Sequence, residues 1–359
     1  MGVLNTVIAA FALLGCVDRM LGNRFGLGEE FERGFHLFGS LALSMIGMIV
    51  MVPLLVNVMQ PMLVFLHKAM GIEPSVIPAA LIANDMGGAA LAVQVASDPA
   101  LGMFNGLVVS CMMGGTIAFT IPVSLTSVRR EQHRELLLGM LCGIVTIPIG
   151  CLLAGSVAGL PFKALLDDLL PLMLLSAVIA AGLALCPDLC AKVFSALGVF
   201  IKGVITLGLA LSILKYLTGI ELIPGLTPLE DAAAVSLGCS IFLTGVLPML
   251  SLISRAIARP MRKLSAVLRV NDHAVMGFVA TLASSVTTFA LMEKMDKKGT
   301  LLNAAFAISA AFAFADHLAF TMAFHAEYVS AVVLGKLAAG VTSVMLGCLL
   351  YQHMYAKSR

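Results

Sequence analysis

Apolar residues run through this chain in long blocks, and charges gather in the gaps between them. Blocks long enough to cross a hydrocarbon core of ~30 Å fall at 3–21, 36–58, 100–123, 135–160, 164–186, 193–217, 232–257, 299–323 and 328–352. Each predicts a membrane helix. Two further apolar runs are interrupted: 75–96 by Asn84-Asp85-Met86-Gly87-Gly88, and 274–294 by Ser284-Ser285-Val286-Thr287-Thr288. A bilayer offers no water to unpaired backbone, so such interruptions belong where protein or a wet cavity covers them. The expected fold is an all-α polytopic membrane protein with about nine spanning helices plus two re-entrant or broken segments. The first block ends at Asp18-Arg19 without a small-residue cleavage site, so it reads as a membrane helix rather than a signal peptide.

The two interruptions are related by a shift of 200 residues, which also sets Thr116 against Asp316. Pro61-Met62 meets Pro260-Met261 with a shift one residue smaller. This ordering predicts a single transport domain over 1–359, with one repeat over about 1–160, a linker helix at 164–186 and a second repeat over about 193–355. Interruptions at corresponding places in two halves point to a transporter binding site.

Basic residues test how the interrupted runs sit. With both as re-entrant hairpins, one side holds Arg19, Arg24, Arg33, Arg129, Arg130, Arg134, Lys192, Arg255, Arg259, Arg262, Lys263, Arg269, Lys294, Lys297, Lys298, Lys357 and Arg359, and the other only Lys68 and Lys163. With both as full spans the two sides are nearly equal. The positive-inside rule favours the hairpins, an outside N-terminus, a cytoplasmic C-terminus and a second repeat inverted against the first.

Composition sharpens the class without changing it. The 359 residues are 60% hydrophobic and 12% charged, with mean hydropathy +1.03, against about 25% charged in soluble domains. A net charge of +2 gives no reason to expect nucleic acid. Eight scattered cysteines form no C-x-x-C pair and read as buried free thiols. No metalloprotease, nucleophile-elbow or P-loop motif occurs, so neither an enzyme, a metal centre nor a cofactor is expected.

Chemistry concentrates in a few polar residues within apolar surroundings. Asp316-His317 lies inside "AFAISAAFAFADHLAF", and Asp85 lies in "ALIANDMGGAALAV". An ionised Asp at the centre of a bilayer helix costs roughly 2.5–3.5 kcal/mol on insertion scales, so such a residue faces a partner or a watery cavity. The candidate substrate-binding set is Asp85, Asp316, Asn84, His317, Ser284, Ser285, Thr116 and Thr288. The plainer readings are that Asp85 caps a half-helix and that the hydroxyls bond helix carbonyls. Lys336 and Lys202 are the candidates for balancing carboxylate charge, because a buried ammonium needs an anion. At least one is expected within salt-bridge distance of Asp316 or Asp85. Asp167-Asp168 is expected to open a helix and match its dipole.

Several stretches carry a family resemblance. "GCVDRML", "FERGF", "ANDMGG", "GGTIAFTIPV", "GIVTIPIGC", "IELIPGL", "GFVATLA", "MEKMD" and "AFAISAAFAFADHLAF" occur in that order over about 15–322. Together they resemble the ethanolamine permease family of bacterial ethanolamine-utilisation operons. The resemblance implies a multi-pass inner-membrane permease that imports ethanolamine, its small-molecule partner, for catabolism. It does not assign the binding residues, which follow from charge and position. The alternative from the residues alone is a Na⁺- or H⁺-coupled symporter of another small polar solute. Whether the chain forms a homo-oligomer is left open by the sequence.

Overall fold

The first turn of the chain is organised by one carboxylate. Helix α1 (Val3–Met20) brings Asp18 to the start of helix α2 (Leu27–Met70), where it accepts from the N–H groups of Phe25, Leu27 and Gly28. These are orphan donors of a helix start, and an anion there also meets the positive end of the helix dipole. Helix α2 has 44 residues, roughly 66 Å at 1.5 Å per residue. It ends at Gly71, whose left-handed φ of 68° lets its N–H reach His67 O. The computed structural model describes residues 3–356, mostly helical with no strand among them. The side chains of Arg259, Pro260, Met261, Arg262 and Lys263 lie outside the described residues, as do Lys357 and Arg359.

Both expected interruptions are breaks, and both segments double back. The first comprises α3 (Val76–Leu81), a 3₁₀ turn at Asn84–Met86 and α4 (Gly88–Val95). Gly87 supplies the turn with φ of 91°, a value that a Cβ resists. The ends meet where Ser97 N donates to Glu73 Oε1 at 2.8 Å. A continuous helix would hold residues this far apart in sequence roughly 36 Å from each other.

The second hairpin comprises α11 (Asp272–Ala283) and α12 (Ser285–Leu291), reversed at the extended Ser284. We number the intervening helices α5 (Pro99–Phe104), α6 (Ile121–Ser127), α7 (His133–Val157), α8 (Phe162–Leu185), α9 (Pro187–Thr218) and α10 (Leu229–Leu268). Thr288 Oγ1 donates back to Gly277 O at 3.0 Å, and Asn271 Nδ2 closes the base on Lys294 O at 2.8 Å.

Each hairpin tip is paired with an irregular segment that follows it in sequence. Between α5 and α6 the chain is wound with i→i+5 bonds over Asn105–Gly114 and Thr116–Thr120. Ser110 Oγ in this stretch donates to Ile82 O at 2.5 Å. Helix α13 (Lys297–Ala310) stops where hydropathy predicts a continuous span over 299–323, and α14 (Asp316–His325) begins after a gap of five residues. In the gap, Phe312 N and Phe314 N donate to Thr281 O and Leu282 O at 3.1 and 3.0 Å. These bonds are the reason the span breaks. They give two carbonyls of the second tip backbone partners from outside their own hairpin.

The last helix, α15 (Val329–Ala356), packs along α7, and α13 fits between them. Small residues set the spacing: a Cβ on Gly139 would lie 2.2 Å from Leu301 O, and one on Gly150 would lie 2.5 Å from Gly335 O. Helix α2 packs likewise on α10 and α9. Close backbone approach through glycine is how membrane helices gain dispersion contact without a hydrophobic drive.

Among the described residues, seven helical stretches are long and apolar enough to cross a membrane: α2, Pro99–Ser127, Arg130–Val157, α8, α9, Leu229–Ile253 and Asp316–Met354. Of the nine runs read from hydropathy, seven coincide with these stretches, 299–323 does not because of its break, and the start of α1 lies outside the residues whose side chains are described. Asp167-Asp168 does not open a helix. Helix α8 starts at Phe162, and Asp168 is buried two turns further along.

Candidate functional site: an acidic cavity between the hairpin tips

The breaks bring residues of distant sequence to one place. The 3₁₀ turn of the first hairpin presents Asp85, the first turn of α14 presents Asp316 and His317, and Val286 comes from the second hairpin. Together with Ala83, Met86, Gly115, Phe119 and Phe312 they enclose a cavity of ≈ 120 Å³. That is several times the space a single water needs and far short of the roughly 300–1,000 Å³ of a drug-sized pocket. A larger recess of ≈ 330 Å³ lies at the far end of α9. Its Lys215 and Glu221 pair with each other at 2.8 Å, and Glu230 is the further charge on its wall.

Charges in the cavity are layered. His317 is buried, with Nε2 4.0 Å from Asp85 Oδ1. Its Nδ1 lies 3.0 Å from Lys336 Nζ, and Lys336, only 1% exposed, also donates to Cys111 O at 2.8 Å. Gly115 makes room for the ring, since a Cβ there would meet His317 Cε1 at 3.2 Å. Phe312 stands 5.4 Å from the His317 ring and 5.7 Å, edge to face, from Phe119. Phe312 has φ of 59°, a left-handed conformation that costs an L residue roughly 1–2 kcal/mol.

The predicted residues divide. The structure brings Asp85, Asp316 and His317 to the cavity wall. Asn84 lies behind Asp85, wholly buried, and neither atom of its amide has a partner. Ser285 Oγ is also buried without a partner, and Ser284 forms the extended turn. Thr288 is engaged within its hairpin, 2.8 Å from Thr281 Oγ1. Thr116 Oγ1 donates between Met112 O and Ile308 O, at 2.7 and 2.6 Å. For these two the plainer reading describes the geometry: their hydroxyls bond backbone.

The expected lysine–carboxylate pair is not formed. Lys202 is exposed on α9, beside Thr206 and Ala210. Lys336 reaches His317 instead of a carboxylate, because the ring stands between them. Phe119 and Phe312 were not legible as site residues. Among nineteen phenylalanines nothing local marks them, although Phe312 lies in the same "AFAFADH" stretch as Asp316.

Fold and cavity define an α-helical membrane protein in which two hairpin tips and a broken helix enclose a small acidic, aromatic-lined space. The chain belongs to the ethanolamine utilisation protein EutH family, whose match covers residues 2–350. It is 38% identical over 353 residues to a protein of Listeria monocytogenes named "Probable ethanolamine permease EutH", covering 98% of this chain and 95% of that one. An Escherichia coli protein of the same name is 36% identical, covering 97% and 95% of the two chains. YxeR of Bacillus subtilis is 39% identical over 337 residues, covering 94% and 91%. No solved structure matches the chain.

Proposed function

We propose that the protein is a permease that carries ethanolamine across the bacterial inner membrane, binding it as the ammonium in the cavity between the hairpin tips. The observation that carries this reading is the meeting of Asp85 and Asp316 with two phenylalanine rings in ≈ 120 Å³. An ammonium is held by carboxylates through charge-assisted bonds and by aromatic faces through their quadrupole. Four heavy atoms at a ceiling of about 1.5 kcal/mol each give at most roughly 6 kcal/mol, so the affinity is expected to be no tighter than tens of micromolar. The printed names of the relatives point to the same solute.

The reading extends to topology. Hairpins with closed bases enter and leave on one side, which supports the re-entrant count of basic residues. The N-terminus is then outside and the C-terminus cytoplasmic. The two halves form an inverted repeat. Its supports are the corresponding hairpins and the carbonyls of Ile82 and Leu282, 200 residues apart, each answered by the irregular helix that follows.

The test is flux of radiolabelled ethanolamine into liposomes holding the purified protein. Saturable uptake, competed by small primary ammonium compounds and not by ethylene glycol, is expected. Uptake equal to that of empty liposomes would defeat the proposal.

A further inference from the structure

One buried polar cluster takes no part in the cavity. Glu73 at the base of the first hairpin, Ser75 beside it, Asn105 at the head of the i→i+5 winding and Asp168 on α8 are 8, 0, 0 and 3% exposed. Asn105 Nδ2 donates to Ser75 Oγ and to Asp168 Oδ1, both at 3.0 Å. Ser75 Oγ donates in turn to Glu73 Oε1 at 3.2 Å, which also takes Ser97 N–H at 2.8 Å. Every side-chain donor is then committed. Two enclosed acceptors are left over, Asp168 Oδ2 and Asn105 Oδ1, and neither has a partner.

Turning the Asn105 amide over would set its oxygen against a carboxylate oxygen of Asp168. Among the described residues neither Glu73 nor Asp168 has an ion-pair partner. Leaving a buried carboxylate unanswered is strongly unfavourable.

We propose that this cluster is a binding site for one alkali cation of the sodium class, held by Asp168 Oδ2 and Asn105 Oδ1 with the Ser75 and Glu73 oxygens close by. The donor set is all oxygen, which suits hard cations and not the nitrogen- and sulfur-seeking transition metals. Glu73 already receives two hydrogen bonds, so the carboxylate with a wholly unanswered oxygen is that of Asp168, and one positive charge answers it. The location gives the site a lever. Glu73 closes the hairpin that carries Asp85, and Asn105 begins the winding that leads to Cys111 and Gly115 against Lys336 and His317. An ion here ties the hairpin base, that winding and α8 together.

The experiment is thermal unfolding of the purified full-length protein in detergent, titrated with NaCl, KCl, CaCl₂ or choline chloride at matched ionic strength. It is paired with equilibrium dialysis against ²²Na⁺. A ligand that binds only the folded state raises the transition with its concentration. Sodium is expected to raise it by a few degrees over choline, and about one ion is expected to be retained per chain. Asp168→Asn and Asn105→Ala should abolish both effects, while Asp316→Asn keeps them. If Asp168→Asn does not fold, Asn105→Ala together with the wild-type dialysis decides. Equal unfolding in sodium and choline with no retained ²²Na⁺ overturns the proposal. So does a sodium response that survives Asn105→Ala, or a response to calcium alone. None of these readouts uses ethanolamine, so a failure here is distinct from a failure of the transport reading.

Discussion

Lys336 Nζ lies 3.0 Å from His317 Nδ1, and that contact fixes which ring nitrogen faces Asp85. An ammonium has donors and no lone pair, so Nδ1 must accept and Nε2 must carry the hydrogen. This tautomer is assigned from the partner, as it must be without visible hydrogens. Nε2–H then points toward Asp85 Oδ1 at 4.0 Å, too far for a hydrogen bond and near enough to close when the site fills. Lys336 therefore orients the wall of the cavity from behind.

Replacing Lys336 with Met frees the ring to turn and leaves Cys111 O without its donor. Loss of one orienting hydrogen bond is worth about 0.5–1.5 kcal/mol, so the ethanolamine concentration giving half-maximal uptake should rise about two- to tenfold. A merely structural lysine would lower the amount of folded protein and leave that concentration unchanged.

Asp316→Asn keeps shape and removes charge. Charge-assisted bonds are worth about 1.5–3 kcal/mol, so apparent affinity in uptake assays should fall by roughly 10–150-fold with less change at saturation. Asp85→Asn should act in the same direction. If Asp85 only capped a half-helix, Asn would serve nearly as well and uptake would barely change. Unaltered concentration dependence in both variants, at equal abundance, would place recognition elsewhere.

Phe312 offers a test with an inverted sign. Glycine normally destabilises relative to alanine, yet at φ of 59° alanine keeps the Cβ strain that glycine relieves, roughly 1 kcal/mol. Phe312→Gly should therefore unfold at a higher temperature than Phe312→Ala, while both lose affinity for the ammonium through loss of the ring.

Helix α9 supplies a pair of opposite substitutions. A Cβ on Gly208 would lie 2.1 Å from Gly47 O, whereas one on Gly203 meets nothing within 4 Å. Gly208→Ala should lower thermal stability by about 1–3 kcal/mol through overpacking. Gly203→Ala should raise it by a few tenths to about 1 kcal/mol through helix propensity. Matching shifts for the two would contradict the contact between α2 and α9.

Much of this architecture was readable because membrane insertion filters sequence so strongly. Asn84-Asp85 and Ser284-Ser285 stood out since polar residues in apolar runs need a reason, and both lie at or beside hairpin turns. The break at 311–315 was hidden, because it is made of alanines and phenylalanines whose backbone, not side chains, does the bonding. Lys336 and Lys202 look alike in sequence, and only packing separates the buried one from the exposed one. The Asp168 cluster escaped notice because its members are scattered from 73 to 168 in sequence.

The closed hairpin bases also bear on biosynthesis. On the re-entrant topology proposed above, each hairpin emerges on the side it entered, so it cannot be threaded as a stop or start of translocation, and its tip is insoluble in lipid while its carbonyls are bare. The second tip gains its partners only when Phe312 and Phe314 arrive, about thirty residues later in synthesis. The order of assembly is thereby constrained: the spanning helices must first gather into a sheltered interior, and the hairpins settle into it afterwards. A chain truncated after residue 300 should accordingly leave the second hairpin outside the bilayer, open to a membrane-impermeant thiol reagent at a cysteine placed at Val286. Protection of that cysteine in the truncated chain would show that the hairpin seats unaided.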